Sequence, residues 1–188
     1  SLSYVPSFPM IGDSVQLQAK IFNKGKNNVS SFDVIFYEDT SGDSLFDSYE
    51  LFQTTSISSL VSGDSIIIEG TSNNITFGNH LFLVRVILPT DEDTTNNTRL
   101  ASVFAGYPQQ TIVINEIMYA PPSSEPEWIE FYNNSNFVVD LKDWKISNKN
   151  SGTKYLLSNQ HVFLNPQQFL LITKDVARLS NSYPSIPS

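Results

Sequence analysis

From residue 15 the chain alternates: Val15, Leu17, Ala19 and Ile21 are apolar, with Gln16, Gln18 and Lys20 between them. A period of two predicts a strand with one buried face. Asn23-Lys24-Gly25-Lys26-Asn27-Asn28 then supplies turn chemistry. The next strand, Phe32 to Tyr37, is apolar on both faces towards its end, which predicts an interior position. After an acidic stretch at 39–50, Leu51 to Ile57 predicts another strand, Ser62-Gly63-Asp64-Ser65 a turn, and Ile66 to Ile68 a strand. Gly78-Asn79-His80 leads into Leu81 to Leu88, the strongest apolar run in the chain. Bounded by turn signals and rich in β-branched and aromatic residues, it reads as a strand rather than a helix.

The pattern restarts after Ala105-Gly106-Tyr107-Pro108-Gln109-Gln110, a short Gly- and Pro-containing connection. Strands are predicted at Thr111 to Met118, at Trp128 to Asn133, around Val138 to Ser147 and at Phe169 to Ile172. In the second of these, Ile129 and Phe131 share one face while Trp128 and Tyr132 share the other, so both faces should be covered. Lys174 to Ser180 predicts one short helix, capped by Asp175 and presenting Val176 and Leu179 on one side. The reading is all-β: two tandem immunoglobulin-like β-sandwich modules at 1–106 and 111–188, joined by a stiff linker at 107–110, the second module incomplete.

Composition narrows the function. The net charge is −8, and the 11 Lys and Arg residues are scattered. Nucleic-acid affinity comes mainly from clustered cations, so no nucleic-acid partner is expected. The absence of cysteine excludes disulfides, a thiol nucleophile and a Cys-ligated zinc site. No apolar run reaches the length of a membrane span, and no signal peptide opens the chain, which reads as an internal or processed fragment. An excess of Ser, Thr and Asn over Lys suggests export.

Two resemblances follow from ordered segments. Ile11-Gly12-Asp13-Ser14-Val15, Phe22-Asn23-Lys24-Gly25, Ser62-Gly63-Asp64-Ser65 and Asp91 to Asn97 occur in the order that resembles the CARDB family, over about residues 1–105. That resemblance implies an immunoglobulin-like module of bacterial surface and secreted proteins, named as cell-adhesion-related. Ile114-Asn115-Glu116-Ile117, Glu127-Trp128-Ile129-Glu130-Phe131-Tyr132-Asn133 and Asp140-Leu141 followed by Trp144 are similar to the lamin tail domain. It implies an immunoglobulin-like sandwich found in nuclear lamins and many bacterial exported proteins. Against that family's usual length, residues 111–188 stop early, so an open sheet edge and uncovered core are expected.

The candidate chemistry is concentrated at 39–50. Set against the twelve-residue calcium loop, oxygen ligands fall on Asp39, Ser41, Asp43 and Asp47, with the Leu45 carbonyl and a bidentate Glu50 completing the set. Calcium favours six to eight hard oxygens, which alternate residues of a tight loop can supply. Two departures stand out: the sixth position is Ser44 rather than Gly, and strands rather than helices flank the loop. An acidic solvated hairpin tip is the alternative. Asp91-Glu92-Asp93 reads as a polar loop, or as a second cation site. Glu127 and Glu130 beside Trp128 suggest a glycosidase pair, yet residues three apart on a strand face opposite ways. His80 and His161 lack metal-ligand neighbours and read as surface or turn residues, and Trp128 and Trp144 as core. No nucleophile elbow, phosphate loop or dinucleotide fingerprint is present.

The expectation is therefore a non-catalytic structural or adhesive spacer of a bacterial cell-surface or secreted protein, stabilised by Ca2+. Its partners would be other domains of the same polypeptide and a cell-surface or polymer ligand. The alternative is a targeting or ligand-binding module accessory to a secreted hydrolase or nuclease.

Overall fold

A computed structural model describes residues 1–148 and 152–185, which divide into two units, 1–108 and 109–188. In the first unit the strands are β1 (Leu2–Val5), β2 (Val15–Phe22), β3 (Phe32–Glu38), β4 (Leu51–Ile57), β5 (Ser65–Ser72), β6 (Gly78–Ile87) and β7 (Thr98–Ala105). They form one sheet in the order β1-β2-β5 and another in the order β4-β3-β6-β7, and every pairing is antiparallel. The interior strand expected at 32–37 is β3, flanked by β4 and β6.

The alternation of β2 becomes burial: Val15, Leu17 and Ala19 face a core that also takes Val34, Phe36, Ile68, Phe82, Val84 and Val103. Phe36 and Phe82, both fully buried, sit either side of Phe52, with ring centroids 6.1 and 6.2 Å from it. Gly70 on β5 is required by this packing, because a Cβ there would lie 2.6 Å from the Phe36 ring. Truncating a phenylalanine in such a core costs about 3–5 kcal/mol. The opposite face of β3 and β6 is covered as well: Tyr37 and Leu83 are buried there, and Phe46, from the 39–50 connection, meets Tyr37 edge-on at 6.1 Å.

The second unit contains β8 (Ile112–Met118), β9 (Trp128–Asn133), β10 (Val139–Asp140), β11 (Lys145–Ile146), β12 (Tyr155–Leu156), β13 (Phe163–Leu164), β14 (Phe169–Thr173) and one helix, α1 (Val176–Ser182). Its main sheet runs β14-β9-β8, with two short pairs, β10-β13 and β11-β12, beside it. Among the described residues, Phe131, Val139, Leu141, Leu164 and Leu179 are buried apolar side chains of this unit. On the Phe131 face of the sheet, β8 leaves Ile114 and Ile117 about half-exposed. The helix starts where the sequence predicts: Asp175 accepts the Arg178 amide at 2.9 Å, and Leu179 is the buried residue of the helix. Val176, expected on the same packed side, is exposed. Both tryptophans are half-buried rather than core residues.

Candidate functional site

The connection 39–50 is organised by its carboxylates. Asp39 Oδ1 accepts the Gly42 amide at 2.7 Å and the Ser41 hydroxyl at 3.2 Å, and its Oδ2 accepts the Ser44 amide at 2.9 Å. Asp43 accepts the Leu45 amide at 2.8 Å. Glu50 is only 3% exposed; its Oε1 accepts the Thr40 and Ser41 amides at 2.9 and 3.0 Å, and its Oε2 the Asp47 amide at 3.1 Å. Burial pushes the Glu50 carboxyl up, but the amides of Ser41, Asp47 and Thr40 outweigh it, and the net position is below the ordinary value. Ser44, the non-glycine at the sixth position, adopts φ 63°, where a side chain carries a steric cost.

Of the six predicted ligand residues, Asp39, Ser41 and Glu50 meet at the base of the loop through these bonds. Asp43 and Leu45 are exposed along the tip, while Asp47, also exposed, is joined to Glu50 through its amide. Among the described residues no three His, Asp or Glu side chains gather as a metal-binding group. Asp39 and Glu50 are thus already engaged by amide donors of their own loop.

The other candidates are likewise engaged locally. Asp93 accepts the Thr95 hydroxyl and amide and the Asn96 side chain, which together hold its carboxyl below the ordinary value. Glu130 accepts Asn115 Nδ2 at 2.6 Å, and Glu127 lies exposed just before β9. His161 is exposed, bonded through Nδ1 to Asp140 at 2.6 Å, and stacks on Phe163 with centroids 5.8 Å apart. His80 departs from the surface reading. It is 7% exposed and lies between Glu38 Oε1 and the Thr76 carbonyl, each 2.8 Å away, because its position on β6 directs it inward with Phe82.

Sequence reasoning missed two buried asparagines. Asn23, after β2, and Asn133, at the end of β9, each tie a remote carbonyl to their own turn. A signal was available: each is followed two residues later by a small residue, Gly25 or Ser135, and six residues later by a valine, Val29 or Val139.

The outer face of the β14-β9-β8 sheet, opposite Phe131, carries three cross-strand rows. One holds Val113, Tyr132 and Phe169; the next Glu116, Glu130 and Leu171; the third Met118, Trp128 and Thr173. Tyr132 and Phe169 lie with ring centroids 4.7 Å apart, and Phe169 is 55% exposed. Beyond the third row, Tyr183, just after α1, donates to Glu125 at 2.6 Å, and Arg178 of the helix donates to the Ser124 carbonyl at 3.1 Å.

A search of curated proteins finds no match. Among solved structures, the chain is similar to the CARDB domain of a Pyrococcus furiosus protein in complex with di-metal ions. The identity is 14% and the TM-score 0.45, over 55% of this chain and 83% of that one. It is also similar to Spo0M, a sporulation control protein from Bacillus subtilis, at 10% identity and TM-score 0.38, over 93% of this chain and 89% of that one. Residues 106–184 match the family model of the Lamin Tail Domain, so the Ile-Asn-Glu-Ile, Glu-Trp-Ile-Glu-Phe-Tyr-Asn and Asp-Leu-x-x-Trp segments of the second unit lie within a lamin tail domain match.

Proposed function

We propose that the chain is a non-catalytic structural and adhesive spacer of a bacterial cell-surface or secreted protein, positioning other domains of the same polypeptide. The observation that carries the reading is how the carboxylates of the first unit are used. Asp39, Asp43, Glu50 and Asp93 are bonded to backbone amides of their own loops, so they fix turns between strands instead of converging on a substrate. Dense antiparallel pairing around a closed apolar core gives a unit that transmits position well. The lamin tail match adds a module family without a catalytic constellation of its own.

The test is location and replaceability. Antibody raised against the chain should label intact cells or the culture medium, and exchanging the chain for an inert pair of sandwiches should preserve display of the parent's other domains. Purely cytoplasmic labelling overturns the reading.

The amides of the loop already engage Asp39 and Glu50, and this geometry favours a loop closed on its own donors over one that recruits calcium. Titration calorimetry with CaCl2, with an Asp39→Ala/Asp43→Ala variant as control, should give no heat. Saturable heat that the variant lacks would assign the ion to this loop.

A further inference from the structure

Strands β8, β9 and β14 contain two charged residues between them, Glu116 and Glu130, and no Lys or Arg. The two are direct cross-strand partners, brought into register by a bulge at Asn115. Like charges directly opposite each other on a sheet face destabilise the pairing. The Asn115 side chain offsets part of this by donating to Glu130, and neither carboxylate forms an ion pair with a described residue. A local rule broken on an outer face, with no internal compensation of the charge, marks a place shaped by something other than stability.

What surrounds the pair names its complement. Leu171 lies beside Glu130 in the same row, and Tyr132 with the exposed Phe169 forms the neighbouring row. Two carboxylates next to an aliphatic side chain and a pair of aromatic rings match the chemistry of a long cationic side chain. Its methylenes cover apolar surface, and its head takes up ion-pair and cation–π contacts. The chain's net charge of −8 attracts such a partner at long range.

We propose that the outer face of the β14-β9-β8 sheet is a docking surface for a basic polypeptide segment, with a Lys or Arg side chain seated on Glu116, Glu130, Tyr132 and Phe169. The proposal concerns a surface of the second unit and does not depend on the spacer reading.

Fluorescence anisotropy of a labelled octalysine peptide with the whole chain at low salt tests it. Wild type should bind saturably. Glu116→Gln/Glu130→Gln should weaken binding by about tenfold, and Phe169→Ala by about threefold. The charge-matched control Asp64→Asn/Glu92→Gln, on exposed acids of the first unit, should leave binding unchanged. Because removing the opposed charges relieves repulsion, the glutamine double variant should melt at or above the wild-type temperature, which separates lost binding from lost folding. Amide shifts on peptide addition should cluster on these three strands. Equal weakening in the control, shifts elsewhere, no binding by wild type, or a homodimer abolished by the same glutamines would each overturn the proposal.

Discussion

The two units close their corners with the same bonds around different residues. Asn23 Nδ2 donates to the carbonyls of Asn27 and Leu60 at 2.9 and 3.0 Å; Asn133 Nδ2 donates to those of Phe137 and Leu164 at 2.9 and 2.8 Å. The side-chain oxygens accept the Gly25 and Ser135 amides, each at 3.0 Å. Backbone bonds follow suit: Asn23 exchanges with Gly63 and Asp64, and Asn133 with Gln167 and Gln168. Six residues on, Val29 pairs with Leu60 and Val139 with Leu164. The setting differs. The first corner belongs to a core of two packed sheets, whereas the second belongs to a unit with few buried apolar side chains. Where apolar burial is thin, a fully satisfied polar corner must supply a larger share of the stability.

The comparison is broken most directly at the asparagines. Asn133→Ala removes the bonds to the Phe137 and Leu164 carbonyls at a position with 0% exposure. The Ser135 hydroxyl still reaches the Phe137 carbonyl, and with a lost partner at a buried group costing roughly 1–3 kcal/mol, a loss of about 3 kcal/mol is expected. Asn23→Ala, at 8% exposure, should cost about 2 kcal/mol, since water can reach what it leaves behind. Urea unfolding separates the two, because both tryptophans, Trp128 and Trp144, lie in the second unit and report on it alone. Hydrogen exchange at Val29 and Leu60 reports on the first. A larger loss at Asn23 than at Asn133 would mean that the second unit does not lean on its corner.

A smaller effect sharpens the same equivalence. The turn after each remote leucine needs one left-handed residue, supplied by Gly63 at φ 80° in the first unit and by Gln167 at φ 58° in the second. A side chain in that region costs about 1–2 kcal/mol and glycine avoids the clash. Gln167→Gly should therefore stabilise the second unit by about 1 kcal/mol, and Gly63→Gln should destabilise the first by a similar amount. Thermal melts of the two variants should move in opposite directions.

This corner also shows what the sequence makes legible. Alternation at Val15 to Ile21 and the apolar run at Leu81 to Leu88 determine the strands, because burial on one or both faces is written directly in residue type. The capped helix is legible for the same reason: an N-cap and its amide lie a few residues apart. Asn23 and Asn133 read only as turn residues, since the carbonyls that define their role, Leu60 and Leu164, are remote in sequence. His80 was misplaced because its partner Glu38 stands on another strand. At 39–50 the ligand-like spacing was visible, but whether a carboxylate turns towards an ion or an amide depends on the backbone path, which spacing does not encode.

The smallest difference lies just past the paired valines, where Asp140 in the second unit occupies the place held by Ser30 in the first. Burial pushes the Asp140 carboxyl up, but the His161 ring and the Lys142 and Val162 amides more than compensate, holding it below its ordinary value of 3.8. A carboxyl depressed in the folded state contributes stability that is fully present above the unfolded value and is lost as pH falls through the folded one. The second corner should therefore loosen below pH 3.8, with faster exchange of the Val162 amide, before the Val29–Leu60 pair responds. Asp140→Asn should lower protection at neutral pH and flatten its acid dependence, leaving the first corner as it was. If the first corner loosens over the same range in both proteins, the acid response belongs to other carboxylates and the two corners do not differ in this respect.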